Sequence, residues 1–234
     1  MIKIFSDERL INLGIVSGTV LRQSGTGRDA ANVASVLNTL GINPAKVLGL
    51  KQVHGTEIIE MITDKDLAAY QAKTEHIADG WMLGKKDCGV LILTADCVPL
   101  YIWDDKGKYI SLTHCGWRGI AAGLPAKAAA LVKEKAGNGA VLNAFIGPHI
   151  SKCCFEVKDD IVGKFFESSV IRRDGKIFVD LDNEIILQLT AQGVKKEDIK
   201  AGCTCSCTCC NKEDFFSYRR DKTKDVLMSF AFKL

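Results

Sequence analysis

The sequence predicts a single α+β domain of mixed β-sheets with helices on one side. Three observations carry this expectation. Runs rich in Val, Ile and Leu stop abruptly at polar, glycine-containing corners, as in VLGLKQVHG, GVLILTADC and YISLTHCGWRG, which is how buried strands read. Only some of these runs are separated by helical periodicity, so the strands form mixed sheets. No internal repeat, low-complexity tract or Pro/Ser-rich linker divides the 234 residues, a length that one domain commonly occupies.

The elements follow in order. Residues 11–23 read as a hairpin-like region, and a glycine-containing turn leads to a helix over 29–40, stopped by Gly41. A strand ends at His54, and 57–61 continues it beyond a turn; 64–72 is helical. Residues 88–95 are the most apolar stretch and the expected central strand. The Ala-rich segment 124–136 has Pro125 in its first turn and Gly137 at its end, the expected punctuation of a helix. Residues 142–146 form another buried strand, stopped by Gly147-Pro148, and helices are expected over 157–168 and 183–192. The tail pairs FFSYRR with VLMSFAF as a hairpin.

Composition excludes several function classes. Hydrophobic residues at 47% and charged residues at 25% are ordinary globular values. The net charge is only +3, and Asp221 interrupts the densest basic stretch, RRDKTK, so nucleic acid is not an expected partner. The opening MIKIFSDERL contains acids and no long apolar core, unlike a signal peptide. No apolar run approaches the roughly 18 residues of a membrane span. A soluble, cytoplasmic protein without membrane contacts is expected.

In a reducing compartment, ten cysteines point to metal binding, catalysis or burial more than to disulfides. Five of them crowd into CTCSCTCC, at Cys203, Cys205, Cys207, Cys209 and Cys210. Their alternation with Thr204, Ser206 and Thr208 predicts a strand with thiols packed on its inner face. Sulfurs strung along a strand have the wrong shape for a tetrahedral ion.

His54, Cys97 and His114 end the three apolar runs. Singly, each has an ordinary reading, a hydrogen-bonded imidazole or an inert buried thiol. Delivered together to one sheet rim, two imidazoles and a thiolate form a three-ligand zinc site with a fourth position open, the arrangement of catalytic zinc. His149 ends another strand and is an outside candidate, whereas His76 lies in a polar loop. Asp96 adjoins Cys97, as a group that orients an imidazole or acts as general base, or as a turn carboxylate capping amides. Arg118, in the GWRG corner before a helix, is a candidate oxyanion or phosphate clamp. Trp117 and Tyr218 offer flat faces to a base, or to the core. Strand alternation would split Arg219 and Arg220 between interior and solvent. GTGRDA formally fits GxGxxA before a helix, but no βαβ unit follows and Lys51 stands where an acid belongs, which excludes dinucleotide binding.

KQVHG at 51–55, TADCVP at 94–99, THCGWRG at 113–119, IGPHISKCCFEV at 146–157 and CNKEDFFSYRRD at 210–221 together resemble the YfiH family. Its members have been labelled multicopper polyphenol oxidases, laccase-domain proteins and purine nucleoside phosphorylases. The resemblance runs from about residue 15 to the C-terminus. It places the family's metal ligands on His54, Cys97 and His114. From the residues themselves, Gln52, Trp117 and Tyr218 are the expected substrate contacts, and Asp96, Cys97 and Arg118 the expected catalytic residues. The chain departs from the family at Asn32-Val33, where Asn-Arg is usual, and at Thr223-Lys224-Asp225, where the pattern has TGR.

The resemblance implies layered mixed sheets similar to those of cysteine-dependent toxin deamidases. It implies phosphorolysis of purine nucleosides, methylthioadenosine included, with adenosine deamination at the same site. The partners implied are purine nucleosides and phosphate, with zinc, or copper as the alternative, and a monomer or homodimer. Four histidines in all are too few for a trinuclear copper cluster plus a blue-copper site, although a mononuclear His2Cys copper site is chemically open. The competing expectations are a copper-dependent polyphenol oxidase, a Cys97–His114 amidase acting on peptidoglycan precursors, and a redox or metal-sensing module.

Overall fold

The computed structural model describes residues 2–73, 75–137, 139–202 and 206–234. A five-stranded sheet runs, edge to edge, through Ile4–Phe5, Ile15–Val20, Leu227–Lys233, Cys88–Thr94 and Val47–Leu48. A six-stranded sheet runs through Ile199–Ala201, Leu142–Ile146, Val98–Asp104, Ile110–Cys115, Gly80–Leu83 and Ile58–Met61. Both sheets mix parallel and antiparallel pairs. A small antiparallel sheet of Glu156–Val157, Lys176–Val179 and Val170–Arg173 completes the strands.

The period of two along each strand explains the layers. In Val98–Asp104, Leu100 and Ile102 join the core beneath helices Leu124–Ala136 and Leu181–Ala191, while Tyr101 and Trp103 join the core between the sheets. In Cys88–Thr94, Val90 and Ile92 share that inter-sheet core, while Leu91 and Leu93 pack with Val36 and Leu37 of helix Ala30–Thr39. Both central strands are therefore buried on two faces, which is why Cys88–Thr94 reads as a continuous apolar run. Helices cover both outer faces, not one as expected. Trp81, Trp103, Tyr101 and Phe145 fill the inter-sheet layer, and truncating such a residue costs about 3–5 kcal/mol.

The three helices with strong punctuation form where expected. Asp29 caps Ala30–Thr39 through the Ala31 and Asn32 amides, Thr63 and Asp66 form a capping box on Asp64–Gln71, and Leu124–Ala136 has the expected bounds. Several expectations fail. The 11–23 hairpin is one strand, Ile15–Val20, paired with Ile4–Phe5 and the distant Leu227–Lys233. The tail hairpin is absent because Leu227–Lys233 takes partners from elsewhere. FFSYRR is a loop running into the short helix Tyr218–Asp221, which Ser217 caps. The helix at 157–168 shrinks to Asp159–Val162, ended at Gly163. Of CTCSCTCC, Cys203 and Cys205 lie outside the described residues. Cys207 makes a single bridge to His149, and the chain then turns. Strands Gly80–Leu83 and Val98–Asp104 went unforeseen, the second beginning with Val98-Pro99. Among the described residues no helix is long and apolar enough to cross a membrane.

Candidate active site

Three residues, Ala95 to Cys97, carry the chain from one sheet to the other. So short a crossing needs an unusual backbone, and Asp96 supplies it at φ 90°, a region that non-glycine residues seldom enter. Its carboxylate is tied at both oxygens: Thr208 Oγ1 donates to Oδ1 and the Arg219 N–H donates to Oδ2, each at 2.6 Å. The Ile150 N–H donates to its carbonyl at 3.0 Å. Cys97 follows at once, and the register Val98↔Cys115, Pro99↔His114 sets it beside His114.

His54 is not at a strand end. Its strand stops at Leu48, and the loop beyond wraps a buried carboxylate that sequence reading missed, Asp79. The N–H groups of Val53, His54 and Gly55 donate to Asp79 at 3.2, 2.9 and 2.6 Å, and His54 adopts φ 60°. Asp79 Oδ1 also lies 2.9 Å from His114 Nδ1. A carboxylate only accepts, so the Nδ1 proton points at Asp79 and Nε2 is left for the site. Burial works against the Asp79 anion, but the bonds from His114, Gly55 and His54 outweigh it and hold its pKa below the usual value.

One nitrogen from each imidazole and the Cys97 sulfur lie within 4.8 Å of one another. The two rings meet edge to face, centroids 4.8 Å apart. Gly116 makes room: a Cβ there would stand 2.7 Å from His54 Cδ2 and 3.4 Å from Cys97 Sγ. Gly119 does the same for the loop, since its Cβ would meet the Gly55 carbonyl oxygen at 2.9 Å. Burial pushes the Cys97 thiol up, but hydrogen bonds from His114 and His54 outweigh it and bring its pKa to about 6. Burial likewise opposes charge on His114, and Asp79 and Cys97 overcome it, raising its pKa to about 9. Both shifts favour a thiolate on Cys97 beside an imidazolium on His114.

The donor set suits a borderline-soft cation. It offers one thiolate and two imidazoles, one of them in a tautomer fixed by a buried carboxylate, with an open side. That side is a cleft of about 720 Å³. Trp117, Arg118, Tyr218 and Lys222 line it; Tyr218 is 57% exposed, and Lys222 Nζ sits 5.1 Å from its ring centre. The Arg118 guanidinium stacks 4.4 Å from the Trp117 ring and makes no ion pair among the described residues. Gln52 also lines the cleft, but its side-chain amide both donates to and accepts from the Leu93 backbone, at 2.8 and 2.7 Å. It braces the wall instead of presenting a free amide. Asp79, not Asp96, orients the imidazole. His149 is buried elsewhere, 3.4 Å from Asp182, and His76 stacks on Tyr70. Arg219 is not sorted by strand alternation: it lies on the short helix and bonds the Cys154 and Glu156 carbonyls.

Residues 26–230 match the family described as multi-copper polyphenol oxidoreductase laccase. A purine nucleoside phosphorylase of Clostridium acetobutylicum is 31% identical over 192 residues, 79% of this chain and 75% of that protein. The chain belongs to the YfiH family. Within that family, the purine nucleoside phosphorylase of Aquifex aeolicus is 29% identical over 209 residues, covering 87% of this chain and 93% of the relative. The Escherichia coli purine nucleoside phosphorylase YfiH is 29% identical, covering 80% and 74%. The YfiH fold is the one seen in Geobacillus stearothermophilus YlmD, at TM-score 0.82 and 25% identity, over 94% of this chain and 92% of that one. It is also the fold of Bacillus licheniformis YfiH, at TM-score 0.83 and 24% identity, covering 94% and 93%.

Proposed function

We propose that this YfiH-family chain is a purine nucleoside phosphorylase, and that His54, Cys97 and His114 hold a zinc ion at its reaction centre. The observation that carries the reading is the convergence of those three donor atoms on a cleft that also holds an arginine with no carboxylate partner among the described residues. The names of the relatives at about 30% identity supply the substrate class. When bound, the ion supplies Lewis acidity and lowers the pKa of a coordinated water.

In phosphorolysis a phosphate oxygen bonds to C1′ of the ribose as the bond from C1′ to the purine nitrogen breaks. The purine leaves with the electron pair and takes a proton, giving free base and ribose 1-phosphate. Arg118 and Lys222 hold the phosphate, where a planar guanidinium suits two oxygens at once. Trp117 and Tyr218 flank the base, and Gln52 keeps the wall behind them in register. Asp96 acts by position: anchored by Thr208 and Arg219, it fixes where Cys97 stands. Methylthioadenosine phosphorolysis and adenosine deamination, which exchanges the 6-amino group for water oxygen with loss of ammonia, belong to the same proposal, because each uses the same base in the same cleft.

The test is a product assay with inosine, adenosine or methylthioadenosine, with and without phosphate. Phosphate-dependent release of base with ribose 1-phosphate is expected, and it should vanish in Cys97→Ala and His114→Ala together with the ion held by His54, Cys97 and His114. Arg118→Ala should raise KM for phosphate more than KM for nucleoside. Intact turnover by Cys97→Ala protein that has lost the ion at this site would overturn the assignment. The low pKa of Cys97 favours one second reading, a metal-free thiolate nucleophile with His114 as its base. Alkylation separates the two, because a nucleophile is labelled at once and a zinc-bound thiolate only after chelation. A multicopper relay has no support in the residues, since only two of the four histidines reach this site.

A further inference from the structure

A second group of donors lies outside the cleft's donor triad. Cys153 and Cys154 sit in a turn closed by the Cys154 and Phe155 N–H groups, which donate to the Ser151 carbonyl at 2.9 and 3.0 Å. Cys207 and Cys210 sit in a second turn, closed by the Asn211 N–H on the Cys207 carbonyl at 3.0 Å. The bridge between His149 and Cys207 sets the two turns side by side. All four sulfurs lie within 4.8 Å of one another. The separations are 3.5 Å for Cys153–Cys207, 3.5 Å for Cys153–Cys210 and 3.3 Å for Cys154–Cys210.

Those distances discriminate between two chemistries. A disulfide needs sulfurs about 2.05 Å apart. Four thiolates about 2.3 Å from one tetrahedral zinc have sulfur–sulfur edges of about 3.8 Å, close to what the turns provide. The Ser151 N–H approaches Cys207 Sγ at 3.5 Å, and the Cys210 N–H bonds to the same sulfur, as suits a thiolate. Positive charge is at hand: Arg219 bonds the carbonyls of Cys154 and Glu156, and Arg220 those of Thr208 and Cys209. Cys153 and Cys210 are exposed, where crowded free thiols would be open to oxidation.

We propose that Cys153, Cys154, Cys207 and Cys210 form a closed, structural site for one zinc ion, tying the 151–154 turn to the 207–210 turn. All four positions are taken by protein, which leaves none for substrate. Its service to the cleft is mechanical, because Thr208, held between Cys207 and Cys210, is the residue that donates to Asp96. The proposal does not depend on the phosphorylase reading.

Metal analysis of the purified full chain should give two zinc ions. Cys97→Ala should keep one of them, Cys153→Ser/Cys210→Ser should keep the other, and Cys203→Ser/Cys205→Ser should keep both. Alkylation of the unmutated protein needs no variant to fold: peptides carrying the four cysteines should stay unlabelled until a strong chelator is added, although two of the thiols are exposed. Immediate labelling of Cys153 and Cys210 would overturn the proposal. So would a mass deficit of two hydrogens showing a disulfide, or iron with labile sulfide in place of zinc. Failure of the nucleoside assay with two zinc ions still bound would sink the proposed function and leave this site standing.

Discussion

Two clusters of soft donors stand on either side of the Asp96 corner, and they differ in nearly every respect that matters for chemistry. At the rim, three candidate ligands come from a loop, a sheet crossing and a strand, one histidine is fixed by a buried carboxylate, and a side is open to a cleft. Beyond the corner, four sulfurs come from two tight turns, steadied by backbone amides and neighbouring arginines. The first arrangement leaves a position for a reacting molecule and the second leaves none. Ligand number and access, more than ligand type, separate a reaction centre from a fastening.

The comparison breaks most sharply at Cys97. Cys97→Ala should reduce turnover to background while the chain stays folded, with a smaller drop in thermal midpoint than loss of the sulfur cluster's ion brings, because the sulfur cluster still ties its two turns together. A collapse of the fold instead would mean that the rim site is the structural one. Cys153→Ser/Cys210→Ser should do the reverse and lower the midpoint strongly. An ion that binds only the native chain, present at a hundred times its Kd, stabilises by about 2.7 kcal/mol. At this chain length that is a shift of roughly 5–11 °C, readable by calorimetry with and without chelator.

Asp79→Asn should weaken metal affinity at the rim by about 10–100-fold, as loss of a carboxylate behind a ligating histidine does, and leave the four-sulfur site unaffected in a competition titration. The pH dependence sharpens the same contrast. In chelated protein, alkylation of Cys97 should reach its plateau as pH rises through about 6, since its depressed pKa keeps the thiolate populated above that value and loses it below. A midpoint near the ordinary thiol value would show that His114 and His54 do not stabilise the anion. Gly116→Ala should have the smallest effect, a displaced His54 ring and weaker turnover, with the thermal midpoint barely changed.

The proposed triad stands out in the sequence because each residue follows an apolar run, and such runs read as the strands that build the rim. Cys97 and His114 obey that logic. His54 reaches the site differently, through a loop folded around Asp79, and no periodicity reports on a carboxylate meeting backbone amides 24 to 26 residues away. An aspartate in the apolar ADGWML stretch was the one available hint. The cysteine tract misled for a related reason. Alternation suggested a strand, whereas the spacing that matters is Cys207-Thr-Cys-Cys210 in a turn, and its partners, Cys153-Cys154, are more than fifty residues earlier. Of the two central strands only Cys88–Thr94 was visible as composition, and its neighbours in the sheet were not. The tail looked locally self-paired, and only the assembled sheet shows that it belongs between Ile15–Val20 and Cys88–Thr94.

That last pairing governs how the molecule is made. Ser229 lies opposite Thr19, so during synthesis an early strand and a middle strand must each wait for a late one to emerge between them. Until then Val90 and Ile92 sit on an unfinished edge, the kind of nascent surface that chaperones recognise. Sheet closure across so long a loop is slow. Nascent chains stalled before residue 227 should therefore remain protease-sensitive in this layer.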